Sequence, residues 1–491
     1  MSQVIAESTT PTDYQQLANQ LFINGQWVPA STGNVIDVYN PSDESLICSV
    51  ADATVEDGMR AIDAAEGAAA AWAATAPRKR ANILMRAFDI MIERSEWLAG
   101  LISLENGKSL ADARGEVAYA AEFFRWYAEE GVRLNGSIGV SPGGANRIVV
   151  QYQPVGIAVL VTPWNFPAAM ATRKIGPALA AGCTCILKPA TETPLTAYAV
   201  AEILHEAGVP AGVVNVLTTS TSGKVVGALL HDPRVRKLSF TGSTEVGRVL
   251  LKQAADQVIN CSMELGGNAP FIVFDNADID AAVEGAMIAK MRNGGEACTA
   301  ANRFYVQRGV LETFTQKLAD KMRAVKLGPA TDPATDLGPL VNASSRNKVA
   351  SLVDDAVARG ARVVLGGKAV EGKGFYYPAT LLVDVPADAT LLREEIFGPV
   401  APIVAFDTEE QAIQLANDTE YGLVSYVYTA DLAQGMRVSE RMGSGMVALN
   451  RGLVSDAAAP FGGAKQSGLG REGGLEGLLA YTEAKYIATS W

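Results

Sequence analysis

From about residue 156 onward, short apolar runs alternate with stretches of helical spacing, and this alternation constrains the fold more than any other property of the chain. The runs are Gly156-Ile157-Ala158-Val159-Leu160-Val161, Thr184-Cys185-Ile186-Leu187-Lys188, Val213-Val214-Asn215-Val216-Leu217 and Lys237-Leu238-Ser239-Phe240. They are short for helices and too continuously apolar for strands with one wet face. Such runs suit strands buried on both sides, which calls for a parallel sheet with helices over both faces. A second series lies between residues 265 and 450. It comprises Phe304-Tyr305-Val306, Arg362-Val363-Val364-Leu365, Val400-Ala401-Pro402-Ile403-Val404 and Met446-Val447-Ala448-Leu449-Asn450, with amphipathic helices near 347–358 and 409–416. The expected class is α/β with two parallel-sheet units. A chain of 491 residues has room for roughly three domain-sized units.

The segment up to about residue 130 reads as mostly helical. Thr54-Val55-Glu56-Asp57 has the form of a capping box before an alanine-rich helix. Residues 78–98 and 109–127 repeat apolar side chains at helical spacing. Residues 133–152 are turn-rich with short strands, and the tail from Gly474 ends in Lys485-Tyr486-Ile487-Ala488-Thr489-Ser490-Trp491, which reads as a final strand.

Apolar residues make up 48% of the chain and charged ones 19%, so a large core is expected and disorder is not. The net charge of -12 argues against nucleic acid or an anionic membrane surface as partner, but not against a small anionic substrate in a local basic pocket. Met1 to Ser8 lack the basic start and apolar stretch of a signal peptide, and no apolar run is long enough to span a bilayer. Cys48, Cys183, Cys185, Cys261 and Cys298 form an odd, sparse set, which suggests reduced thiols and a cytoplasmic location. Cys183 and Cys185 read as core of a buried strand. The two histidines, His205 and His231, read as surface or loop residues and offer little for a zinc site or a Ser-His-Asp triad. No metal is expected.

The chemistry concentrates in two segments. Met291-Arg292-Asn293-Gly294-Gly295-Glu296-Ala297-Cys298-Thr299-Ala300-Ala301-Asn302-Arg303 sets one cysteine among small residues after a glycine pair. Met263-Glu264-Leu265-Gly266-Gly267-Asn268-Ala269-Pro270 precedes it by about one helix. A thiolate attacks a carbonyl carbon, and a nearby carboxylate activates the water that releases the acyl group. The competing reading of a lone cysteine is a small buried hydrophobe. Phe240-Thr241-Gly242-Ser243-Thr244-Glu245-Val246-Gly247 follows a strand and opens a helix, where small residues and the helix N-terminus suit a phosphate. The G-x-G-x-x-G fingerprint is absent, and a plain strand-to-helix turn has the same appearance.

Together with Thr162-Pro163-Trp164-Asn165-Phe166-Pro167, Glu394-Glu395-Ile396-Phe397-Gly398-Pro399 and Pro460-Phe461-Gly462-Gly463, these segments resemble the signatures of the aldehyde dehydrogenase superfamily, in order along nearly the whole chain. The resemblance implies an aldehyde dehydrogenase-like α/β fold: two Rossmann-like parallel-sheet domains plus a small β oligomerisation arm. The expected boundaries are 1–132 and 153–264 for the cofactor domain and 265–450 for the catalytic domain. Residues 133–152 and 474–491 form the arm, and 451–473 a substrate loop returning to the cofactor domain. A homodimer or homotetramer follows, because exposed apolar strands suit a covering subunit.

The resemblance also implies roles. Cys298 is the nucleophile and Glu264 the base for deacylation. The Asn165 amide and the Cys298 backbone N–H stabilise the oxyanion. Trp164, Lys188, Thr191, Gly242, Ser243, Glu395 and Phe397 hold a nicotinamide cofactor: Gly242 and Ser243 at the pyrophosphate, Lys188 at the adenosine ribose, Glu395 and Phe397 at the nicotinamide end. Thr191 stands where many NAD-preferring members carry glutamate. A hydroxyl does not repel a 2′-phosphate, so NADP is favoured, with NAD as the alternative. Lys174 is the candidate for a structural lysine beside Asn165.

Residues 164–174 and 462–473 resemble the succinate-semialdehyde dehydrogenases most. That likeness places Arg173, Arg292 and Ser455 on a substrate carboxylate, for which a guanidinium's planar fork is suited. The alternative for either arginine is an internal salt bridge. Ala300 stands where some members carry a second cysteine, so a redox-switch disulfide is not expected. Arg451 adds a charge before the substrate loop, and Asp456 is expected to point away from it. The alternatives are the same chemistry on glutarate semialdehyde or on another aliphatic or aromatic aldehyde and, from another class, a non-catalytic protein on this fold.

Overall fold

The structure is a computed structural model and describes residues 20–490. The signal-peptide reading of Met1 to Ser8, and the last residue of the tail, lie outside the described residues. The apolar runs after residue 156 become the parallel centre of an eight-stranded sheet, in the order Asn260–Glu264, Val235–Thr241, Ile157–Val161, Cys185–Lys188 and Val214–Val216. Ile157–Val161 and Cys185–Lys188 are buried along their whole length, as strands covered on both faces must be. The chain adds two strands on one side of Ile157–Val161, then reverses and adds two on the other. The loops leaving the carboxyl ends of Ile157–Val161 and Val235–Thr241 therefore border a switch-point crevice, where α/β sheets bind ligands. Asn165 lies on the first loop, and Gly242 and Ser243 on the second.

A seven-stranded sheet repeats the pattern. Its parallel part runs Thr380–Val383, Val400–Phe406, Ala301–Gln307, Ala269–Val273, Val424–Tyr428 and Met446–Leu449, and Arg362–Leu365 is antiparallel at one edge. The two sheets meet unlike ends. Glu264 closes the carboxyl end of its strand, whereas Cys298 precedes the amino end of Ala301–Gln307. A third sheet joins the hairpin Ser137–Val140 and Arg147–Pro154 to the C-terminal strand Thr482–Thr489. It exposes Ile138, Val140 and Tyr486.

Two local expectations change. Residues 21–51 contain four strands rather than belonging to a helical segment. Leu21–Ile23 docks on the first sheet through Phe22 opposite Val216, and strands of three residues are too short for periodicity to reveal. The expected helix over 78–98 divides into Pro77–Glu93 and Ser95–Asn106 at Arg94, whose backbone leaves helical geometry. His205 and His231 are exposed, as the surface reading expected, in the last turns of two helices. The Thr54 capping box forms as read: the Asp57 N–H donates to Thr54 Oγ1 at 3.4 Å and the Thr54 N–H to Asp57 Oδ2 at 3.0 Å. Among the described residues, no helix is long and apolar enough to cross a membrane.

Candidate active site

The glycine pairs beside Cys298 and Glu264 serve close packing. After the helix Ile279–Met291 the chain turns left-handed through Asn293 (φ 55°), Gly294 (59°) and Gly295 (76°). A Cβ on Gly295 would lie 2.2 Å from the Gly398 carbonyl oxygen, and one on Gly267 would lie 2.5 Å from that of Cys298. Only glycine lets these backbones meet. Arg303 then ties the loops together, donating to the carbonyls of Asn268 (2.8 Å from Nη2), Leu415 (2.9 Å) and Ala416 (2.9 Å).

Asn165 is held on a polar pedestal. Its Nδ2 donates to the Glu296 carbonyl at 3.0 Å, which places the amide beside the Cys298 loop. Its own carbonyl accepts from Lys108 Nζ at 2.7 Å and Asn293 Nδ2 at 2.9 Å. Lys108 forms a buried ion pair with Glu116. The helix Pro167–Ala181, which follows Asn165, has no side-chain cap of its own. Glu116 supplies one from a distance, accepting from the N–H groups of Ala168 (2.8 Å) and Ala169 (3.2 Å). Asp112, one turn earlier on the Leu110–Glu130 helix, accepts from the Asn293 N–H at 2.9 Å. One helix thus aligns both the oxyanion amide and the nucleophile turn. Lys108→Met is expected to leave Glu116 as an uncompensated buried charge, at about 3–5 kcal/mol. A displacement of Asn165 near 1 Å would lower kcat by about a hundredfold. Thermal melts and steady-state rates test this; a lower melting temperature with unchanged kcat would remove the pedestal from catalysis.

Burial dominates the electrostatics. The Cys298 thiol is pushed up to about 12 by desolvation, against the pull of Arg173 and Arg292. Glu264 is buried, and neither carboxyl oxygen has a hydrogen-bond partner. Desolvation first, then the negative charge of Glu472, raises its pKa well above the carboxylate range, which favours the protonated form. Glu472 is held low against its own burial by Lys174 and Arg173. It pairs with Arg173 Nε at 2.7 Å and with Lys174 Nζ, which also donates to Ser239 Oγ at 2.9 Å. Lys174 is therefore not the lysine on Asn165, as expected from the resemblance; Lys108 is. Helical spacing turns Lys174 toward Ser239 on the sheet and Glu472.

Two cavities meet at Cys298. The larger, about 260 Å³, is lined by Trp164, Asn165, Gly242, Ser243, Gly266, Glu395 and Phe397. Phe397 (φ 56°) sets its ring edge-on to Trp164 at 5.3 Å, and Glu395 accepts from the Gly267 N–H at 3.1 Å. The buried Thr241 hydroxyl has no partner at this crevice, while the Ser243 hydroxyl caps the helix Thr244–Ala255 by accepting from Val246 N–H at 3.4 Å. A helix N-terminus, an orphan hydroxyl and an aromatic wall fit a dinucleotide. The smaller chamber, about 20 Å³, is lined by Tyr119, Arg173, Arg292, Ser455 and Phe461, with Cys298 in its wall. Lys188 is buried at its strand end, its ammonium weakened by desolvation. Thr191 lines a separate recess, where its hydroxyl donates to Glu192 at 3.2 Å.

The structure thus gathers Cys298, Asn165, Trp164, Gly242, Ser243, Glu395 and Phe397 in one cleft, and Arg173, Arg292 and Ser455 behind the thiol. Arg173 proves to be salt-bridged, while no carboxylate pairs with Arg292 among the described residues. Arg451 and Asp456 are exposed, and Asp456 accepts from the Ala458 N–H at 2.9 Å, away from the chamber. Lys108, Asp112, Glu116, Tyr119, Asn293, Glu296 and Glu472 were not read from sequence. A signal existed for the helix: Asp112, Glu116 and Tyr119 share the face of Ala113 and Ala120, so polar groups sit on a buried stripe.

The family model for the aldehyde dehydrogenase family matches residues 27–487. The chain belongs to the aldehyde dehydrogenase family. It is 56% identical to a succinate-semialdehyde dehydrogenase of Paenarthrobacter nicotinovorans, over 90% of this chain and 98% of the relative. It is 48% identical to a glutarate-semialdehyde dehydrogenase of Pseudomonas putida, over 97% and 99% of the two chains. A crystal structure of an E. coli NADP-dependent enzyme superposes with a TM-score of 0.96 at 48% identity, covering 98% of this chain and 100% of that one.

Proposed function

We propose that this chain oxidises succinate semialdehyde to succinate, with NADP as preferred hydride acceptor. The observation that carries this reading is the Arg292 guanidinium, without a carboxylate ion pair among the described residues, in a chamber that also holds Arg173 and Ser455 behind the Cys298 thiol. A neutral aldehyde would leave that cation uncompensated, whereas a substrate carboxylate completes it. The names of the relatives above point the same way.

The roles follow from position. Cys298 Sγ, as thiolate, adds to the aldehyde carbon. The oxygen gains negative charge beside the Asn165 amide and the Cys298 N–H. A nicotinamide dinucleotide, when bound along Trp164, Gly242, Ser243, Glu395 and Phe397 with Lys188 and Thr191 toward its adenosine end, supplies the hydride acceptor. The acyl group left on Cys298 is a thioester. Glu264, once ionised, takes a proton from water, and hydroxide addition frees Cys298 and succinate. Glutarate semialdehyde is the second reading, since one methylene alters the fit modestly.

Initial rates with succinate semialdehyde, with NADP and NAD side by side, test the assignment. Expected are turnover favouring NADP and an Arg292→Ala variant whose KM rises by about 10–100-fold, the cost of a charge-assisted hydrogen bond. Turnover of benzaldehyde or hexanal in place of succinate semialdehyde would sink the substrate assignment and leave the chemistry. The exposed Ile138, Val140 and Tyr486 of the arm suit a covering second copy, in a homodimer or homotetramer. All five cysteines are free, which suits a reducing cytoplasm.

A further inference from the structure

We propose that the Tyr119 hydroxyl is a third anchor for the substrate's distal carboxylate and thereby sets the preference for acid aldehydes over neutral ones. The inference rests on the carboxylate-bearing substrate proposed above. Tyr119 lines the chamber with Arg173, Arg292, Ser455 and Cys298. Its hydroxyl is buried and has no hydrogen-bond partner of normal geometry among the described residues, with the Arg173 and Ser455 side chains near enough to act on it. A buried phenol without a partner is costly, and a site that keeps one is complete only when a ligand supplies the acceptor.

The ring is not free to swing away. It packs edge-on to Phe123 at 4.8 Å, one turn further along the Leu110–Glu130 helix. That helix is itself clamped to the site through Asp112 and Glu116. The hydroxyl is therefore presented at a set place before substrate arrives.

Its chemistry is that of a donor. Burial raises the phenol pKa, against the opposing pull of Arg173, Arg292 and Ser455, so the proton stays on oxygen at neutral pH. A carboxylate offers about four acceptor directions. Arg173 spends part of its fork on Glu472, and Arg292 stacks its guanidinium 5.2 Å from the centre of the Phe166 ring. Acceptor directions are left over, and Tyr119, Ser455 and Thr299 are the residues with neutral hydroxyl donors lining the same chamber.

The test is Tyr119→Phe, which keeps the ring and its Phe123 contact. Rates are measured with succinate semialdehyde and with butanal, a neutral aldehyde of equal chain length. Inhibition by succinate is measured alongside. The expected result is a rise of about tenfold in KM for succinate semialdehyde, with a matching loss of succinate inhibition. Its kcat and the kcat/KM for butanal stay unchanged. Parallel losses on both aldehydes, or no change in KM or inhibition, would overturn the anchor. If wild type strongly prefers succinate semialdehyde while Tyr119→Phe matches it, the tyrosine fails and the substrate reading survives. If wild type shows no such preference, the carboxylate reading fails and takes the anchor with it.

Discussion

Cys298→Ala is expected to lower aldehyde turnover by roughly 10⁵-fold or more, since removing a nucleophile leaves only binding and the oxyanion donors. The fold should persist, because the loop is held by contacts the sulfur does not make: Asn165 to the Glu296 carbonyl, Tyr426 to the Thr299 carbonyl at 2.8 Å, and Arg303 to three neighbouring carbonyls. The thiol also predicts its own pH dependence. With its pKa pushed up to about 12, it is neutral across the working range of the free protein. The thiolate fraction, and so the rate of alkylation by iodoacetamide, should climb by about tenfold per pH unit with no plateau near an ordinary thiol pKa. A plateau at or below pH 8 would show that the charges of Arg173 and Arg292 outweigh burial. Residual turnover near wild type in Cys298→Ala would remove covalent catalysis altogether.

Glu264→Gln should separate the two halves of the reaction. The substitution is nearly isosteric, and burial with Glu472 raises the pKa of the carboxyl it replaces, so little disturbance of the fold is expected. Without a base for water, the acyl-enzyme should accumulate and steady-state turnover fall by about 10²–10⁴-fold. Rapid mixing should then show a burst of cofactor reduction near one equivalent per site, followed by a slow phase. Loss of the burst along with the steady state would move Glu264 from deacylation to activation of the thiol. In the unaltered protein, the deacylation step should quicken with rising pH above the ordinary carboxylate range, because burial and Glu472 hold the Glu264 proton in place until then.

Much of the architecture was legible because burial imposes periodicity. The strands Ile157–Val161 and Cys185–Lys188 are mostly apolar because helices cover both faces, and such a run is visible without a structure. The short strands Leu21–Ile23 and Gln26–Val28 were missed because three residues cannot display a period and their pairing is decided by neighbouring strands. The nucleophile and base were legible because small residues crowd them: Gly267 and Gly295 are required by carbonyl oxygens within 2.5 Å of the missing Cβ.

The sequence by itself determined the α/β class, the two sheets and the thiol and carboxylate segments, because each leaves a local imprint of apolar runs or small residues. Only the tertiary structure decided how charge is distributed around them. Arg173 and Arg292 looked equivalent in sequence, yet Glu472, far along the chain, pairs with the first, while the second has no ion pair among the described residues. Lys108, unread in the sequence, stands where Lys174 was expected for the same reason: the helix turns Lys174 toward Ser239 and Glu472, while Lys108 reaches the Asn165 carbonyl from another element. Pairing between buried charges depends on distances of a few ångström across distant segments, and no local pattern in the chain records those distances.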